Sequence, residues 1–73
     1  SQASVELKID QTQKIKVQIL DMQGRAIDTL LEGSFRENSI LQIDINLEQQ
    51  PAGIYLLQVK GAKTSFSRKI FKN

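Results

Sequence analysis

The sequence predicts an all-β domain, a small antiparallel β-sandwich or barrel. Three observations point there. Apolar and polar residues alternate one for one in three separate runs. Turn-forming residues break those runs at a spacing of roughly 8–12 residues, the rhythm of small sandwiches and barrels. Ile and Val lead the apolar positions, and β-branched side chains pack well on a pleated surface. Alternation of period two gives each strand one apolar and one polar face, as in an antiparallel sheet wet on one side. No segment shows a convincing helical period.

Six strands follow in order. In the first, Val5, Leu7 and Ile9 alternate with Ser4, Glu6 and Lys8. The stretch Asp10–Gln13 separates it from the second, where Ile15, Val17 and Ile19 alternate with Lys14, Lys16 and Gln18. Asp21-Met22-Gln23-Gly24 then reads as a tight hairpin turn, because Asp can accept from the backbone two residues on and Gly tolerates positive φ. The returning strand runs Arg25–Leu31. Ile27, Leu30 and Leu31 also fit the i, i+3, i+4 spacing of a short helix, but a hairpin turn requires a partner strand. Gly33–Asn38 reads as a second, looser connection. The fourth strand is Ile40–Ile45, with Leu41, Ile43 and Ile45 on its apolar face. After the loop Asn46–Gly53 come a fifth strand, Gly53–Lys60, a short turn at Gly61–Lys63, and a last strand, Thr64–Lys72.

The fifth strand differs from the others. Pro51 lacks an N–H for a ladder and belongs in the loop ahead of it. Gly53 permits a backbone conformation closed to other residues. Ile54, Tyr55, Leu56, Leu57 and Val59 leave little room for a polar face. A strand apolar on both faces is either central between two packed layers or paired to something outside. We read it as the central strand of the core, with the Tyr55 hydroxyl reaching a backbone partner or water.

Composition narrows the function. At 73 residues the chain is one small domain, which buries about 60% of the surface its unfolded form exposes. It has no Cys and no His, so disulfides, thiolate chemistry and the usual zinc ligand sets are excluded, and we expect no cofactor and no metal. Three Phe, one Tyr and no Trp argue against a stacking platform for sugars or nucleic acid. The net charge of +2 is too small to argue for nucleic acid. No apolar run approaches the roughly 20 residues of a membrane span, so direct membrane insertion is not expected. The carboxylates Glu6, Asp10, Asp21, Asp28, Glu32, Glu37, Asp44 and Glu48 could supply an acid–base pair in principle. Most fall at strand ends or on polar faces, where solvated charge is the commoner role, and we do not expect an enzyme. All eight acids precede residue 49, whereas the last 25 residues carry Lys60, Lys63, Arg68, Lys69 and Lys72 and no acid. Lysines on strand faces and edges keep sheets soluble, which accounts for much of this imbalance. The chain does not begin with Met and has no signal peptide, and we expect a fragment of a longer protein.

Three segments carry a family resemblance: Val17-Gln18-Ile19-Leu20-Asp21-Met22-Gln23-Gly24-Arg25, then Pro51-Ala52-Gly53-Ile54-Tyr55-Leu56-Leu57-Gln58-Val59, then Arg68-Lys69-Ile70-Phe71-Lys72. In this order and spacing, the chain from about Val5 to Asn73 resembles the type A C-terminal sorting domain of the type IX secretion system of Bacteroidetes. The resemblance implies a small immunoglobulin-like antiparallel β-sandwich of six to seven strands at the C-terminus of secreted cargo. It also implies partners: an outer-membrane translocon that reads the domain after the cargo reaches the periplasm, and a surface sortase that removes it. The cargo is then released or attached at the cell surface. Many members open with an Asn-Pro segment, whereas this chain begins Ser1-Gln2-Ala3, so the cleavage site is not legible.

Two groups of residues follow. Asp21, Gly24 and Arg25, with Pro51, Gly53 and Tyr55, are expected to build the fold. Arg68, Lys69, Ile70, Phe71 and Lys72 are the candidate recognition strand, whose open N–H and C=O groups could add to a partner's sheet while Lys69 and Lys72 steer it to an acidic surface. A competing reading has Ile70 or Phe71 closing the core over solvated lysines. Exposed edge strands also make a homodimer a candidate assembly. A fibronectin-like or carbohydrate-binding module is the alternative function, and the scarcity of aromatics weighs against it.

Overall fold

The computed structural model describes residues 2–73, which form six strands and no helix. These are β1 (Gln2–Lys8), β2 (Gln13–Leu20), β3 (Ala26–Phe35), β4 (Ile40–Asn46), β5 (Gly53–Gly61) and β6 (Ser65–Lys72). β1 pairs with β4, and the others form a sheet in the order β3-β2-β5-β6. Every pairing is antiparallel. The two sheets pack as a sandwich, so the expected all-β class holds. The order matches strands B and E facing C′, C, F and G of the immunoglobulin topology. No seventh strand occurs among the described residues.

The third strand corrects one expectation. Gly33 is not the start of a loop: β3 runs on to Phe35, with Gly33 opposite Ile15 and Phe35 opposite Gln13. Two register shifts, at Val17/Gln18 and Ile19/Leu20, let a ten-residue strand pair with an eight-residue one. Such bulges blur the alternation along β3, which is why Ile27, Leu30 and Leu31 mimic a helical spacing. They belong to this strand, half-buried against the core.

The core lies between the sheets. The large sheet contributes Ile15, Val17 and Ile19 from β2 and Tyr55, Leu57 and Val59 from β5. Leu7, Ile9, Ile43, Ile45 and Leu47 meet them from the other layer. Burying one such aliphatic side chain stabilises the fold by about 1.5–3 kcal/mol, and with no Cys in the chain these rows hold the domain without a disulfide.

Candidate recognition end of the sandwich

Strand directions alternate, so the 21–25 turn, the 46–53 loop and the end of β6 arrive at the same end of the sandwich. Register fixes this: Leu20 lies beside Leu56, and Gly53 beside Lys72. The three segments that carry the family resemblance are thus brought together in space.

The turn is built around one carboxylate. Asp21 Oδ1 accepts from the backbone N–H groups of Gln23 and Arg25, each at 2.9 Å, and Oδ2 accepts from Arg25 Nε at 2.9 Å. Gly24 donates its N–H to the Asp21 carbonyl at 3.0 Å, and the Asp21 N–H reaches the Arg25 carbonyl at 2.9 Å. Gly24 has φ of 87° with open space where a side chain would go, so conformation rather than crowding favours glycine. This is a turn closed by a left-handed glycine, a common three-residue hairpin loop. The Arg25 backbone N–H is the main cause that holds the Asp21 carboxyl below its ordinary range; desolvation opposes it, and the Arg25 guanidinium and the Gln23 N–H add to the lowering.

The loop into β5 is held by a tyrosine. The Tyr55 hydroxyl donates to the Pro51 carbonyl four residues upstream while its ring is buried. Immunoglobulin-like folds use the same corner at the start of the equivalent strand. Gly53, at φ 153°, makes the bend between them, again with nothing within 4 Å of a notional side chain.

The last strand divides by face. Ile70 packs on the core, and alternation puts Arg68 and Lys72 on its side. Lys72 does not extend into solvent. Its ammonium donates to the carbonyls of Gln50 at 2.5 Å, Leu47 at 2.6 Å and Glu48 at 3.2 Å. All three of its donors thus point at main-chain oxygens. The loop is pre-shaped for this by Gln50 N–H to the Leu47 carbonyl and Glu48 N–H to Asn46 Oδ1, both at 2.9 Å. Lys69 and Phe71 face the other way. Phe71 is 66% exposed and sits opposite Ile54, which is 38% exposed.

An open groove of about 510 Å³ runs between the 21–25 turn and the Gln50–Tyr55 segment. Among the described residues no cluster of three or more acidic side chains could hold a metal ion. The arrangement offers an exposed edge strand, an apolar face and basic side chains, which are means of recognition.

Sequence reasoning missed two anchors. Lys72 was legible: it shares the phase of Ile70, so alternation already turned it inward. Gln13 shares the phase of Ile15 and Val17 and is 7% exposed. Its amide donates to Thr64 Oγ1 at 3.3 Å and to the Gln11 carbonyl at 3.2 Å, and its Oε1 accepts from Lys63 N–H at 2.8 Å. It ties the β5–β6 turn at the opposite end.

A family model described as the secretion system C-terminal sorting domain matches residues 2–73. No curated protein and no solved structure gives a significant match. The family match runs through all six strands and all three signature segments, and the chain therefore belongs to the C-terminal sorting domain family of type IX secretion.

Proposed function

We propose that this domain is a detachable address label. The observation that carries the reading is the family match over residues 2–73. A sorting domain of this kind directs its cargo to the cell surface or beyond. In our reading it is type A and serves a bacterium of the Bacteroidetes. Cargo reaches the periplasm, an outer-membrane translocon reads the folded domain, and a surface sortase cuts it away. The domain performs no chemistry of its own. The absence of His and Cys supports this, since it removes the commonest general base and the strongest nucleophile.

We place recognition on β6, where Lys69 and Phe71 face outward and, among the described residues, no strand pairs with the outer edge. The test is a fluorescent reporter with an ordinary secretory signal peptide and this chain at its C-terminus, in a host with a working type IX system. Deleting Lys69–Asn73 is expected to abolish export while synthesis continues. That deletion also removes the Lys72 contacts, so Lys69→Glu is the companion variant, because it reverses outward charge and spares the loop. Normal export of both would overturn the assignment to β6.

A further inference from the structure

The outer face of the large sheet carries apolar residues that packing does not explain. Tyr55, Leu57 and Val59 point into the core, so Ile54 and Leu56 point away from it. Register places Leu20 beside Leu56 and Phe71 beside Ile54 on that outer face. Leu20 is only 9% exposed, yet it lies outside the core cluster. Met22 lines the groove with Ile54 and is 52% exposed. Three of the five exposed large apolar residues, Met22, Ile54 and Phe71, therefore gather at the recognition end of one face. No second layer covers this ledge. Leu20 and the half-buried Leu56 form its floor, and the exposed Ile54, Phe71 and Met22 form its rim; exposed apolar side chains gathered in one place mark an interaction site.

Charge says what fits there. The outward positions of β2, β5 and β6 hold no acid; Lys14, Lys16 and Lys60 stand toward the far end and Lys69 at the ledge itself. Lys69 stands within the ledge, opposite Leu56. Glu32 lies opposite Lys16, at the far end. Asp21, at the corner, holds the Arg25 guanidinium. A second copy presents no free carboxylate at its own ledge to meet Lys69, whereas an acidic partner does and is held in register by it.

We infer that the ledge of Leu20, Ile54, Leu56 and Phe71, with Met22 at its corner, seats a protein of the export machinery that presents apolar side chains ringed by carboxylates. The inference rests on the sorting reading and names the face by which that partner holds the domain. Free energy at such a surface concentrates in a few apolar anchors beside charged neighbours.

The experiment compares the exported reporter carrying the wild-type chain with Ile54→Ser/Phe71→Ser, Phe71→Ser alone and Lys69→Glu. Denaturation of each purified domain reports folding, and sedimentation reports self-association. The expected result is wild-type-like folding of the single variants and export reduced about tenfold or more, the scale of losing one anchor, with Phe71→Leu restoring export to the Phe71 position. Wild-type export by folded Phe71→Ser and Lys69→Glu would overturn the ledge and leave the sorting reading standing. Self-association of the wild type that Phe71→Ser abolishes would also overturn it, because the occupant would then be a second copy. Failure of the wild-type reporter itself would remove the sorting reading, and the inference with it.

Discussion

Tyr55, Leu57, Val59 and Ile70 point from the β5–β6 hairpin into the sandwich, whereas Ile54, Leu56, Lys69 and Phe71 point away from it. Both faces are rich in apolar side chains, but only the inner one has another layer to pack against. The inner face also holds the end of β6 through Lys72 and the start of β5 through Tyr55. Folding accounts for that face completely. Among the described residues no second sheet packs on the outer one, and the exposed Ile54 and Phe71 beside a basic strand are where a recognition role belongs. One strand pair thus carries a structural duty on one side and a candidate functional duty on the other.

The strongest way to break this comparison is to truncate neighbouring leucines on opposite faces. Leu57→Ala is expected to lose about 2–5 kcal/mol in denaturant unfolding, the cost of a cavity in a packed core. Leu56→Ala, on the outer face, is expected to lose roughly half of that or less. Equal losses would mean that the outer face is as tightly packed as the inner.

Lys72 sharpens the comparison next. Lys72→Met keeps the aliphatic stem but leaves the Leu47, Glu48 and Gln50 carbonyls without their shared donor. A loss of about 1.5–3 kcal/mol is expected, the range for hydrogen bonds to a charged group. Backbone amides of residues 47–53 should exchange faster by hydrogen–deuterium exchange. Tyr55→Phe removes one hydroxyl from the same inner face and strands the Pro51 carbonyl, at about 1 kcal/mol, measurable as a lower denaturation midpoint with an unchanged slope.

The smallest effect lies in the turn. The Asp21 carboxyl titrates below its ordinary range when folded, chiefly because the Arg25 N–H donates to the charged form. Its contribution is therefore fully present above the ordinary carboxylate range and disappears as pH falls through the lowered folded value. The stability gap between wild type and Asp21→Asn is expected to be constant near neutral pH and to shrink in acid. Thermal melts across that range would show it, and a gap that widened in acid would contradict the turn chemistry.

Most of the fold was legible because alternation maps directly onto faces. Val5, Leu7, Ile15, Val17, Ile19, Ile43 and Ile45 turned inward as their phase requires. β3 was less legible, because two register shifts break the phase that alternation depends on. The Asp21–Gly24 turn could be read locally, since all of its bonds lie within five residues. The Lys72 bonds reach back 22 to 25 residues, so local patterning turned the side chain inward without naming its partners. The split of Arg68–Lys72 into two faces was implicit in the same period. Treating the five residues as one basic strip concealed it.

The most direct test of the central claim is a transplant. Residues 1–73 are fused to the C-terminus of a fluorescent protein bearing an ordinary secretory signal peptide. The fusion is then expressed in one host with a working type IX system and in another without it. The account predicts reporter at the cell surface or in the medium of the first host alone. Reporter retained in the periplasm of both would contradict the claim that this chain is a sufficient sorting signal.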